Sequence, residues 1–207
     1  MPLIRKDDAE PSAPTGDDGD VLAALTNGTN DQRWAAARSA GAVPGGIKAL
    51  GLALATEADA RVREAFFTSL MRARSLEAVD AVLPHLRSDD ANLRTGALDA
   101  LRGMAATAAP RLPVLLNDPD ADVRLLACEI LRDLPSAEAT PLLCRLLEKE
   151  DQVNVCASAA EVLAETGGPE ALPALAACAA RFQNEPFLIF SIKAASARIG
   201  DQSPGRG

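Results

Sequence analysis

Few side chains in this chain are of the types that carry chemistry. Among 207 residues there is one histidine, His85, and there are four cysteines, Cys128, Cys144, Cys156 and Cys178. A single imidazole leaves no multi-histidine metal site. In an otherwise apolar stretch, His85 reads as a structural residue, not as the base of a Ser-His-Asp triad. The cysteines sit in Ala- and Leu-rich segments with no CxxC and no neighbouring His, so they read as small core residues in a reducing compartment. The glycine pairs Gly45-Gly46 and Gly167-Gly168 have no strand before them and no Lys-Ser/Thr after them, as a phosphate-binding loop requires. Carboxylates are plentiful, but nothing singles out a pair. Catalytic residues, metal ligands and cofactors are therefore all expected to be absent.

What stands out instead is a recurring pattern of arginines, acids and apolar residues. VREAFFTSL from Val62, LRTGALDAL from Leu93 and VRLLACEIL from Val123 share one frame. In each, an apolar residue is followed by Arg, by another apolar residue four positions on (Phe66, Ala97, Ala127), and by Leu eight positions on (Leu70, Leu101, Leu131). Offsets of four and eight fall on one face of an α-helix. The frame extends to Gln32 upstream and to Val155 and Leu188 downstream, giving six copies whose starts are 30, 31, 30, 32 and 33 residues apart. Asp59, Asp90 and Asp120 stand three residues ahead of the first apolar position, where a short acceptor caps free N–H groups and favours the positive end of the helix dipole. Before each such turn lies a further apolar segment, as in LEAVDAVLPHL from Leu76 or EALPALAAC from Glu170. Pro110, Pro141 and Pro173 are predicted in first helical turns, while Pro84 and Pro113 lie deeper and are expected to bend their helices. The unit is thus helix, tight acidic turn, helix. With 3% aromatic residues, no Tyr and abundant Ala, the class is all-α.

These phrases, above all DARVREAFFTSL, DANLRTGALDAL and DADVRLLACEIL, resemble the second helices of HEAT-like repeats, of the short variety found in phycobilisome lyase subunits and many bacterial proteins. The resemblance runs from about Asp20 to Gly200. It implies a right-handed α-solenoid of about six helical hairpins over residues 19–201, with an acidic disordered tail at 1–18 and a flexible tail at 202–207. It also implies that Arg33, Arg63, Arg94 and Arg124, with Asp59, Asp90 and Asp120, tie neighbouring repeats together. Such a ladder should fade toward the C-terminus, where Cys156 and Ile189 replace the arginine.

In HEAT-like stacks the second helices line the concave, partner-holding surface. Offsets zero, four, five and eight are predicted buried, and offsets two and six are predicted to face solvent. Offset two holds Trp34, Glu64, Thr95, Leu125, Ala157 and Phe190; offset six holds Arg38, Thr68, Asp99, Glu129, Glu161 and Ala194. Trp34, Leu125 and Phe190 would be binding anchors on that face, or core residues if the frame slips in the terminal copies. Asp99, Glu129 and Glu161 form an acidic row and Arg72, Arg102 and Arg132 a basic one. They are spaced either to pair along one helix (Asp99 with Arg102, Glu129 with Arg132) or to select a charged partner.

The formal net charge of −8 argues against a phosphate-backbone binder, and no segment approaches the roughly 20 apolar residues of a membrane span. The expected function is that of a non-enzymatic scaffold or adaptor for a cytoplasmic protein partner. The alternative is a bilin lyase-like subunit acting with a partner, and less favoured is a HEAT-like DNA glycosylase, which the acidic balance opposes. The apolar run at Phe187 to Phe190 also raises a homodimer through the terminal repeat.

Overall fold

The computed structural model describes residues 17–202. Among them there is no strand, and no helix is long and apolar enough to cross a membrane. The acidic stretch at residues 1–16 and the last five residues lie outside the described part. The chain falls into two compact units that meet between Val82 and Leu83 in the sequence, where the repeat pattern alone suggests one array.

The first unit contains α1 (Asp18–Asn27), α2 (Asn30–Ala40), α3 (Gly46–Leu54), α4 (Ala60–Ala73) and α5 (Leu76–Val82). Helices α1, α3 and α5 pack in one layer, and α2 packs on α4 in the other. Val21, Leu25, Ala36, Ala37, Leu50, Leu54, Val62, Phe66 and Leu70 fill the space between them. Thr29 begins α2 with a capping box: its hydroxyl accepts from Gln32 N–H and its own N–H donates to Gln32 Oε1. The position the frame treats as apolar is thus an exposed cap residue, because the first unit has no earlier second helix for it to pack on. The α2–α3 turn depends on two glycines. Gly45 has φ +76°, and a Cβ on Gly46 would lie 1.7 Å from the Ala40 carbonyl oxygen, so that turn closes only without side chains.

The second unit opens with a 3₁₀ segment, Leu83–Arg87, on which α6 (Ala91–Gly103) packs. There follow α7 (Ala105–Ala108), α8 (Leu112–Leu115), α9 (Ala121–Leu131), α10 (Ser136–Lys149), α11 (Val153–Thr166), α12 (Leu172–Arg181) and α13 (Pro186–Gln202). Helices α6, α9, α11 and α13 stack in succession as one layer, and α10 packs on α12 in the other. Pro84 lies in the 3₁₀ segment and Pro113 near the start of α8; α7 and α8 are separated by a 3₁₀ turn holding Pro110, so prolines here shorten first helices to single turns. Pro173 is in a first turn, but Pro141 is interior to α10, which begins five residues earlier because Pro135 already stops the preceding chain. Gln202 belongs to α13 and Asp18 to α1, so the helical array is one residue longer at each end than the spacing predicts.

Both units are built from packed helical hairpins, and the described residues are all-α. The frame reads burial well in its central copies, where Val62, Phe66, Leu70, Leu93, Ala97, Leu101, Val123, Ala127 and Leu131 are all buried. It fails at Ala157, predicted to face solvent but buried. Helix α11 is packed by α9, α10 and α13, and its run of Ala, Ser and Cys lets those neighbours close over that face.

Candidate functional site

Two sets of polar side chains matter: those spent on holding repeats together, and those left over.

The first set follows one rule. In the four second helices that carry it, the frame arginine turns back to a carbonyl of its own entry turn. Arg33 donates to Gly28 O (2.8 Å), Arg63 to Glu57 O (2.8 Å), Arg94 to Ser88 O (2.6 Å) and Arg124 to Asp118 O (2.8 Å). Two forks also reach the following repeat, Arg33 onto Glu57 (2.6 and 2.9 Å) and Arg124 onto Glu150 (2.7 and 2.8 Å).

The acceptors of these two forks are glutamates, where the resemblance implies aspartates. Asp59, Asp90 and Asp120 cap their own helices, accepting from the N–H groups of Val62, of Asn92 and Leu93, and of Asp122. A carboxylate turned toward its own N–H groups is poorly placed to meet both arms of a fork. The longer glutamate side chain, set two residues ahead of the cap position, reaches across. Asp59 is also tied to the preceding repeat, by Asn30 Nδ2 at 2.6 Å. Beyond Arg124 no further frame arginine forks onto a glutamate of the following repeat among the described residues; there Arg181, at the end of α12, donates to the carbonyls of Leu147, Glu148 and Glu150.

Glu57 and Glu150 are buried acids kept charged by these partners. The Arg33 guanidinium, with the Asp59 N–H, holds the Glu57 carboxyl below its ordinary range despite burial. At Glu150 burial is the largest influence and pushes upward, but Arg124 and the N–H groups of Gln152 and Asp151 together outweigh it and leave the group lowered. A carboxyl whose folded pKa is depressed contributes stability that is complete above the unfolded value of about 4.3 and disappears as pH falls through the folded value. Thermal stability is therefore expected to be flat at neutral pH and to fall below about pH 5, with Glu57→Gln and Glu150→Gln each flattening part of that fall. Parallel melting-temperature profiles for wild type and variants between neutral and strongly acid pH would contradict this.

The rows near the helix ends are also largely committed. Arg102 pairs with Asp133 of the next repeat at 2.6 Å, in place of Asp99. Arg132 pairs with Glu129 at 3.2 Å and with Glu165 of the next repeat. Glu129 also accepts from Ser158 Oγ at 3.1 Å. Glu129 is thus part of the scaffold, while Asp99 and Glu161 are exposed, Leu125 is half-buried on α9, and Phe190 is 71% exposed on α13. His85 is buried in the 3₁₀ segment, and burial pushes the Cys128 thiol up to about 12, far from a thiolate nucleophile. No group of His, Cys, Asp and Glu among the described residues has the arrangement of a metal site.

The uncommitted set lies in the first unit. An open cavity of about 390 Å³ between α2 and α4 is lined by Trp34, Arg38, Arg61, Glu64, Ala65, Thr68, Ser69 and Arg72. It brings together four predicted site residues, Trp34, Arg38, Glu64 and Thr68; Asp99, Leu125, Glu129, Glu161 and Phe190 belong to the other unit. Trp34 is half-buried in the wall. The guanidinium of Arg61 lies over its ring at 4.6 Å and that of Arg38 at 5.0 Å, positions that favour cation–π attraction. The periodicity overlooks Arg61, which stands just ahead of the frame, although its counterpart one repeat earlier, Asp31, is its ion-pair partner at 3.0 Å.

This is a helical-hairpin repeat protein with a polar, aromatic-centred groove between second helices. Residues 108–186 match the model of the HEAT repeat family, and helical hairpins recur on either side of them, as in a HEAT-like repeat protein. No curated protein matches it. Among solved structures it is similar to the complex of CpcE and CpcF of phycocyanin lyase from Nostoc sp. PCC7120, at 20% identity over 97% of this chain and 98% of that one, with a TM-score of 0.46. It is likewise similar to an engineered protein, at 20% identity over 90% of this chain and 97% of that one, with a TM-score of 0.43.

Proposed function

We propose that the chain is a non-enzymatic scaffold or adaptor that holds a cytoplasmic protein partner on the face of α2 and α4, anchored at Trp34. The observation that carries this reading is the chain's sole tryptophan in the wall of an open cavity, ringed by the side chains of Arg38, Arg61, Glu64 and Arg72. A rigid aromatic surrounded by polar groups that exclude water on docking is the usual form of an interface hot spot. The cavity lies open along the helix surface and does not enclose a small molecule, which ordinarily loses most of its surface to its site. Elsewhere most second-helix arginines are consumed by the scaffold itself.

The test is affinity capture of the tagged chain from its native cytoplasm, beside Trp34→Ala with unchanged helicity by circular dichroism. One enriched protein, reduced at least tenfold by the substitution, is the expected result, as loss of about 2 kcal/mol at a hot spot implies. A partner retained in full by Trp34→Ala would remove the site from the reading. A pigment recovered in place of a protein would overturn the scaffold and favour the bilin lyase-like alternative.

A further inference from the structure

Two of the charges around Trp34, those of Arg38 and Arg72, are not neutralised. In the second unit Arg102, Arg124 and Arg132 each hold a carboxylate of the following repeat. In the groove Arg61 has only the exposed Asp31, and Arg38 and Arg72 have no carboxylate partner among the described residues. Three guanidiniums against the single carboxylate of Glu64 make the lining net positive, on a chain of net charge −8.

We propose that the groove receives an acidic peptide segment of the partner, its carboxylates on Arg38 and Arg72 and an apolar side chain of the segment on Trp34. This rests on the scaffold reading and adds the chemistry of what is held. A guanidinium presents a planar fork of donors that matches a carboxylate. Contact with the indole orients Arg38 without using those donors, so its fork is held ready. An incoming carboxylate supplies at Arg72 what Asp133 supplies at Arg102. Glu64 and the Thr68 hydroxyl can accept from peptide N–H groups, which a run of phosphates lacks.

With one Trp and no Tyr, intrinsic indole fluorescence of the full chain reports on this groove. The probes are three blocked synthetic peptides of equal length, each with one leucine among glutamates, glutamines or lysines, together with inorganic phosphate and the phosphoserine counterpart of the glutamate peptide. The glutamate peptide is expected to shift Trp34 emission saturably and to weaken as salt is raised. Arg72→Ala should cost it roughly tenfold in affinity, Arg72→Glu should turn the preference toward the lysine peptide, and Arg102→Ala should leave binding unchanged. Equal binding of the glutamine or lysine peptide overturns the acidic assignment while leaving the groove as a docking surface. A response to phosphate or phosphoserine alone overturns it in favour of a phosphorylated ligand. If no peptide moves the emission, the assignment falls; the scaffold reading falls with it only if captured partners also ignore Trp34→Ala.

Discussion

Glu150→Ala is expected to destabilise the unit that holds it by about 3 kcal/mol, the scale for removing one member of a buried ion pair. The Glu150 side chain is 3% exposed and that of Arg124 13%, so the arginine left behind keeps its charge in a place that water reaches poorly. Four hydrogen bonds end on the Glu150 carboxylate, two from Arg124 and one each from the Asp151 and Gln152 N–H groups. The alanine variant therefore also frees the turn that starts α11. Arg102→Ala is the contrast: that side chain is 35% exposed and its partner Asp133 41%, a pair worth less than about 1 kcal/mol. Urea denaturation followed by circular dichroism separates the two. Equal effects of the two substitutions would mean that the arginine–glutamate fork is not what joins these repeats.

Phe66→Ala should cost the first unit about 4 kcal/mol, from lost transfer energy and the cavity left behind. Phe66 lies on α4 with no exposed surface, in a core otherwise made largely of Ala, Val and Leu. With Phe67 it is one of the two large rings that the first unit buries, so nothing of similar volume stands ready to fill the space. Trp34, on the neighbouring α2, makes the loss readable by fluorescence as well as by circular dichroism. A fall in stability under about 1 kcal/mol would show that α2 and α4 collapse onto the gap. The spacing between these helices would then be set by something other than Phe66, and the groove above it would not be rigid.

The frame that starts at Val62, Leu93 and Val123 is sufficient to identify the second helices, their order and most of their buried face. Burial at offsets of four and eight needs only helical geometry and a hydrophobic driving force, both of which are local properties of the chain. The same reasoning marks Trp34, Arg38, Glu64 and Thr68 as outward residues of consecutive second helices, and the cavity gathers them because α2 and α4 are neighbours. It fails where the helix has neighbours on several sides, as at Ala157, and where a terminal repeat has none, as at Gln32.

What the sequence determined by itself, then, is the hairpin unit, its number and its spacing, since these depend on residue types and on separations within one element. Tertiary structure alone decided which charges are spent and which are free. Arg33 and Arg94 occupy the same frame position, yet one forks onto a buried glutamate and the other stops at a carbonyl of its own turn. Arg102 and Arg72 both close second helices, yet one is paired and the other lines the groove. The outcome turns on whether a carboxylate of the right length lies within about 3 Å after the repeats have stacked, a distance that no spacing along the chain encodes.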